Sequence, residues 1–322
     1  MNKFDVLINS NSHQAQLLGN AKVFELLRDC YGDALGNVAF VDVGDLKNAL
    51  EKWCVNYSSE KRRQLMIGGG DGTINAASQI IFSKQLDLSF GIIPMGTCNN
   101  FAKSLGYSGN FTEDLDQFNR MKSNKVSLSS INGQVFLMVA NLDASTLEAF
   151  KAREKLRLKN YKGFLQGCFN SIKYLYFGKK FDEQSCILKS GNSNALNLKG
   201  GGVFITNAQL DPLPLMTGVS IKSCFSVMLS NLFRMNAASP EFFSVGLFNG
   251  RIQDFPSLLV KGVKGTWNKH CCIQSFDADC MVIDSGVNSQ VEVGVDGEIV
   301  LTSYPLRIEK HPNVLRVLSP SM

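Results

Sequence analysis

The sequence has no apolar run long enough to cross a bilayer as a helix. It has no low-complexity segment and no repeat of solenoid period, so a repeat array is excluded. Its nine cysteines include no pair at metal-ligand or redox spacing. Cys271 and Cys272 are adjacent and the others are scattered, which predicts reduced thiols in a cytoplasmic protein. Only three histidines are present, and none has a partner at the spacing of a metal site or a catalytic triad. His13 lies in the first loop, whereas His270 and His311 read as loop or surface residues. The opening "MNKFDVLINS" carries Asp5 inside its apolar run and reads as a first strand rather than an export signal. The formal charge of +5 is mild. It permits an anionic ligand or an anionic membrane surface and demands neither. No feature points to nucleic acid.

What is present is an ordinary globular composition in 322 residues, enough for two domains. Up to residue 124, apolar strands alternate with helical patterns. "FDVLIN", "VAFVDV", "QLMIGG" and "LSFGIIP" are strands. "HQAQLLGNAKVFELLRDC", "DLKNALEKWCVNYSS", "GTINAASQIIFSKQ", "GTCNNFAKSLG" and "TEDLDQFNRMKSN" are helices. That order predicts a Rossmann-like α/β domain, a parallel sheet with helices on both faces. From 125 to 304 strands come in pairs separated by turn residues. This predicts a mainly antiparallel, β-sandwich-like second domain with a helical insert at 148–177. The terminal strands, 305–322, are expected to return to the first domain.

The most informative stretch is "QLMIGGGDGTINAASQII", Gln64 to Ile81. Glycines at a strand end let backbone approach a ligand, and the following helix offers open N–H groups. Gly68, Gly69, Gly70 and Gly72 then cradle phosphates, with Thr73 as a hydroxyl donor. The stretch lacks the Gly-Lys-Ser/Thr of a P-loop and the spacing of a dinucleotide fingerprint. Asp71 beside phosphates implies metal contact or acid–base work. A tight turn with Asp71 as helix cap explains the stretch equally well. A second Gly-Thr turn, Gly96–Thr97 in "IIPMGTCNNFAKSLG", favours one ligand held from two sides.

The order of three motifs resembles the diacylglycerol kinase catalytic domain family, which includes bacterial lipid kinases and sphingoid-base kinases. The motifs are "GGDGT" at Gly69–Thr73, "PMGTCNNFAKSLG" from Pro94, and "VDGE" at Val295–Glu298. The resemblance implies ATP-dependent phosphorylation of a lipid hydroxyl, with the acceptor entering between the domains. It implies nucleotide contacts from Gly68 to Ile74, from Gly96 and Thr97, and from Asn9 and Ser12 in the first loop, "NSNSH". It places the general base at Glu298, with Asp296 beside it. An alcohol attacking a γ-phosphate needs such a carboxylate, and Mg²⁺ to offset phosphate charge. Taken alone, "VDGE" is also an ordinary Asp-Gly hairpin turn.

Three departures stand out. The family's Asn-Asp-Phe-Ala is here Asn99-Asn100-Phe101-Ala102. Ala76 stands where an acid is frequent, and "SPEFFSV", Ser239 to Val245, lacks the aspartates of the second domain's structural metal site. "FNGRIQD" is no better a counterpart. Mg²⁺ is therefore expected with the nucleotide and not as a structural ion. The missing acids motivate an alternative, a nucleotide- or lipid-binding regulator on the same fold. A kinase for a soluble acceptor such as NAD is a third reading. The basic segment Lys151–Lys162 reads as a solvated helix or as a patch docking on anionic membrane, which would make the protein peripheral. The expected partner is a lipid substrate, and a homodimer is compatible with the sequence.

Overall fold

The apolar segments of the first part form a parallel sheet because each strand is followed by a helix that carries the chain back over one face. In the computed structural model, the described residues are 3–57, 63–115, 121–142, 147–148, 151, 162, 165–166, 186–189, 196–198, 202–207, 241–248, 257, 273–285 and 289–320. The chain folds into two compact units. The first is Met1–Leu128 with Pro312–Met322, and the second is Ser129–His311.

In chain order the first unit holds β1 (Lys3–Asn9), α1 (His13–Leu18), α2 (Asn20–Tyr31), β2 (Leu35–Val41) and α3 (Leu46–Tyr57). Then come β3 (Arg63–Gly69), α4 (Asp71–Ser83), β4 (Ser89–Pro94), α5 (Asn100–Ser104), α6 (Phe111–Leu115) and the first part of β5 (Lys122–Ile131). Residues 122–124, expected at the end of a helix, belong to β5 instead. The remaining strands are β6 (Gln134–Phe136), β7 (Val139–Leu142), β8 (Cys186–Lys189), β9 (Leu196–Leu198), β10 (Gly202–Asn207) and β11 (Phe243–Phe248). They continue with β12 (Ile273–Ala278), β13 (Cys280–Asp284), β14 (Gln290–Val295), β15 (Glu298–Ser303) and β16 (Leu306–Ser319). The last part of β16 belongs to the first unit.

The first unit's sheet has the order β2-β1-β3-β4-β16, with every neighbouring pair parallel. Its strands read as apolar runs because both faces are covered: Val6, Ile8, Leu65, Ile67, Phe90 and Ile92 are all essentially inaccessible. Asp5 is buried within β1, and its carboxylate accepts from Trp53 Nε1 (2.9 Å) and the Asn37 amide (2.7 Å). At the end of the paired stretch of β16, the Tyr107 hydroxyl accepts from the Ile92 amide (3.1 Å) and donates to the Leu318 carbonyl, extending the link between β4 and β16.

The strand order turns at one point. From β1 the chain crosses to β2 on one side, and β3 and β4 follow on the other. In open α/β sheets that switch leaves a crevice at the carboxyl ends of the two central strands. Here those ends are Asn9 of β1 and Gly69 of β3.

The second unit is antiparallel. One sheet runs β12-β11-β10-β7-β14-β15. The other contains β13 between β8 and the first part of β16, with β9 beyond β8. Period-2 alternation points Ile205, Phe243 and Val293 of one sheet, and Met281, Ile283 and Ile308 of the other, into one shared core. Most of the helical insert expected at 148–177, most of Lys151–Lys162, "FNGRIQD" beyond Phe248, and His270 lie outside the described residues. Ser239 and Pro240 of "SPEFFSV" do too, while its Phe243–Val245 form part of β11. His311 is not a loop residue. It lies in β16, half-buried, with Nε2 at 2.8 Å from Ser130 Oγ.

Candidate nucleotide site and candidate acceptor-side turn

The carboxyl ends of β1 and β3 are tied by side chains. Asn9 Nδ2 donates to Thr73 Oγ1 (2.8 Å), and Asn9 Oδ1 accepts from the Asn11 amide (2.9 Å). Both Asn9 and Thr73 are buried. Two of the expected site residues, far apart in sequence, thus meet at the switch point. The Ser12 amide bonds back to the Asn9 carbonyl (3.0 Å). Ser12 is 6% exposed, and its hydroxyl has no hydrogen-bond partner among the described residues. A buried hydroxyl left unpaired is destabilising, which suits a site that a ligand completes.

The glycine run has a packing reason at each step. A Cβ on Gly68 would lie 3.0 Å from both Ile8 Cγ1 and Met95 Sδ. One on Gly69 would lie 2.4 Å from Thr73 Cβ, and one on Gly70 would lie 3.0 Å from Gly96 Cα. Gly70 is the N-cap of α4, with extended backbone, and supplies no capping side chain. The positive end of a 13-residue helix therefore faces the loop uncapped by a side chain. Gly72 lies in the first turn of that helix. Ile74 does not present itself to a ligand: its side chain is buried and its amide donates to the Gly70 carbonyl (3.1 Å). Gly68 is likewise occupied by strand packing, so the open backbone narrows to Gly70–Thr73.

Asp71 is not the cap of its own helix. Its two carboxylate oxygens accept from the amides of Asn100 (3.1 Å) and Phe101 (3.0 Å), at the start of α5. The acid of the first turn thus holds the second. Asn99 completes the arrangement from left-handed backbone (φ 51°). Its Oδ1 accepts from the Gly96 amide (2.8 Å), and its Nδ2 donates to the carbonyls of Gly96 and Gly109 (3.1 Å each). Gly109 is held in turn by Asp114, whose carboxylate accepts from the amides of Ser108 and Gly109 and whose pKa burial pushes up. Thr97 projects at the surface of this turn. Asn99 and Asp114 were absent from the expected site. Asn99 had a signal, since an Asn in the turn Gly-Thr-Cys-Asn suits left-handed backbone.

In the second unit, Asp296 and Gly297 form the two-residue turn between β14 and β15, with Val295 paired to Glu298. Both turn residues have positive φ, 47° and 91°, which is the type I′ geometry that Asp-Gly favours. Asp296 does more than turn. Its Oδ2 accepts from the Leu137 amide (2.7 Å), and its Oδ1 from the amides of Met138 (2.8 Å) and Val139 (2.9 Å). With three backbone donors on one carboxylate, Asp296 is a clamp on residues 137–139. Glu298 is the contrast. It is exposed, and its carboxylate has no partner among the described residues. Among the described residues no three His, Cys, Asp or Glu side chains gather into a metal-binding group. No helix is long and apolar enough to cross a membrane, again among the described residues.

The first unit is thus a β2-β1-β3-β4-β16 parallel sheet with paired glycine turns at its strand ends, and the second unit is an antiparallel sandwich. Residues 3–131 match the family model of the diacylglycerol kinase catalytic domain. A Staphylococcus epidermidis protein named "Putative lipid kinase" is 25% identical over 289 residues, 87% of this chain and 85% of that one. A protein named diacylglycerol kinase from Staphylococcus aureus (strain Newman) is 26% identical over 156 residues, 46% of this chain and 49% of that one. The crystal structure of a diacylglycerol kinase from Bacillus anthracis str. Sterne shares the fold. It superposes with a TM-score of 0.68 at 19% identity, covering 99% of this chain and 97% of that one.

Proposed function

We propose that the protein is an ATP-dependent lipid kinase that transfers the γ-phosphate to the hydroxyl of a diacylglycerol- or sphingoid-like acceptor. The observation that carries this reading is the joining of the two glycine turns, Gly70 against Gly96, with Asp71 clamping the second from the first. Two turns held together in this way, over an uncapped helix N-terminus and an unpaired Ser12 hydroxyl, suit a polyphosphate. The backbone of Gly70–Thr73, Gly96 and Thr97 binds and orients it, and Asn9 keeps Thr73 in place. Mg²⁺ bound with the nucleotide would offset the phosphate charge, with Asp71 the carboxylate of the glycine turns that would meet it directly or through water.

Glu298 takes the proton of the acceptor hydroxyl. Its open carboxylate supports this role, and the commitment of Asp296 to three amides makes Asp296 the residue that positions the turn. A second reading has its own support. Asp71 and Asp296 both spend their oxygens on backbone amides, which is what a nucleotide- or lipid-binding regulator would retain. Incubation with γ-labelled ATP and a panel of lipids, NAD, or no acceptor separates the readings. Label in a lipid supports the kinase, label in NAD supports a soluble acceptor, and ATP binding without transfer supports the regulator. The same assay on anionic vesicles tests peripheral membrane contact.

A further inference from the structure

β16 sends alternate side chains into the core of the second unit. Leu306 and Ile308 are buried, and Lys310 takes the next inward position at 8% exposure. A leucine or methionine would fill that position without burying charge. A buried ammonium must instead be solvated from inside the protein. Lys310 reaches across the sandwich and donates to Oδ1 of Asn207, the last residue of β10, which is itself 2% exposed. No carboxylate pairs with it among the described residues. Burial alone draws its pKa down to about 8.

The bonds continue beyond Asn207. The Asn207 amide donates to the Met138 carbonyl (2.9 Å). The Met138 amide donates to Asp296, as do its neighbours Leu137 and Val139. The Asp296 amide returns to the Val139 carbonyl (2.9 Å). An unbroken path of hydrogen bonds and short backbone segments therefore links the buried lysine to the turn that presents Glu298.

We infer that Lys310 is a positioning residue for the Asp296–Gly297 turn, acting through Asn207 and the backbone of residues 137–139. The catalytic consequence rests on the reading of Glu298 as general base. The positioning itself does not. Lysine at an inward position of a core strand is explained by this role, because its length spans two sheets and its charge gives one strong donor to one buried oxygen.

The test uses the full chain and two readouts: amide hydrogen exchange at residues 137–139, and kcat with the KM for ATP. Lys310→Met and Asn207→Leu should each speed exchange at those amides by roughly tenfold, the size of one hydrogen bond's stabilisation. Each should lower kcat and leave the KM for ATP unchanged. Asn207→Asp keeps an oxygen for Lys310 and should retain wild-type exchange. The double variant Lys310→Met/Asn207→Leu should be no worse than Asn207→Leu alone, since Lys310→Met removes only a bond that Asn207→Leu already removes. If Lys310→Met does not fold, Asn207→Leu carries the same measurement. Wild-type exchange at 137–139 in both single variants overturns the inference. Faster exchange with unchanged kcat overturns its catalytic part. If the wild type phosphorylates no acceptor, the kinase reading falls, and exchange alone decides whether Lys310 holds the turn.

Discussion

Gly70 and Gly96 meet backbone to backbone. A Cβ added to Gly96 would lie 2.5 Å from Gly70 Cα and 2.8 Å from Asn99 Oδ1. Gly70 Cα is backbone, and the Asn99 side chain is pinned by its bonds to Gly96 and Gly109, so the turns themselves would have to part.

Gly96→Ala should therefore weaken ATP binding at least about tenfold and destabilise the protein by about 1–3 kcal/mol, the usual range for overpacking. Gly44→Ala is the control, because no described atom lies within 4 Å of its added Cβ. Calorimetric titration with ATP and thermal unfolding check both effects. Unchanged ATP affinity in Gly96→Ala would mean that the joined turns do not form the nucleotide site.

Asp71→Asn replaces one of two acceptors by a donor that faces a backbone amide of α5. A lost hydrogen bond with a buried donor left unpaired predicts a loss of about 1–3 kcal/mol. ATP affinity should fall with it, because Gly96 and Thr97 are no longer held against the first turn. The phosphate-side role adds a shift in the Mg²⁺ concentration needed for half-maximal turnover. A melting temperature equal to wild type would remove the clamp from the account.

Lys310 gives the protein a pH signature. Its folded pKa, about 8, lies below the ordinary value of 10.5 that the unfolded chain retains. Between those values the unfolded chain binds more protons, so this group's contribution to stability rises with pH across that window. Its ceiling is about 3 kcal/mol. Burial raises the pKa of Tyr31, Tyr107 and Cys54, and those groups oppose the trend at higher pH. The contrast belongs between pH values of about 7.5 and 9.5. Chemical denaturation should show the wild type gaining stability relative to Lys310→Met as pH rises. Parallel pH profiles would show that the amine is not buried as described.

The fold was legible because local pattern and tertiary demand coincide in this chain. Apolar runs such as Leu65–Ile67 and Phe90–Ile93 are buried on both faces of a parallel sheet, and alternating runs such as Val293–Val295 bury one face. The location of the glycine turns followed from the same alternation. Their contact did not, because Gly70 and Gly96 meet only after two strands pair in register, with Gly69 opposite Pro94. Sequence suggested that Gly70 admits a phosphate, whereas the atom nearest its absent side chain is Gly96 Cα. Asp296 shows the same limit. Its turn geometry was readable from Asp-Gly, but its three amide donors come from residues 157 to 159 positions earlier. Lys310 was illegible for a different reason. Its charge argues outward and its strand parity inward, and only a partner on the facing sheet reconciles them.

Glu298 carries the central claim, and one measurement addresses it directly: transfer of label from γ-labelled ATP into a lipid acceptor, by wild type and by Glu298→Gln. Gln keeps the shape and the hydrogen-bonding edge but cannot take a proton. The account predicts label in the lipid with the wild type, and a fall of roughly 10²–10⁴ in turnover for Glu298→Gln with ATP affinity nearly intact. An active wild type matched by an equally active Glu298→Gln would contradict the assignment of the base. Tight ATP binding by a wild type that labels no acceptor would contradict the kinase itself.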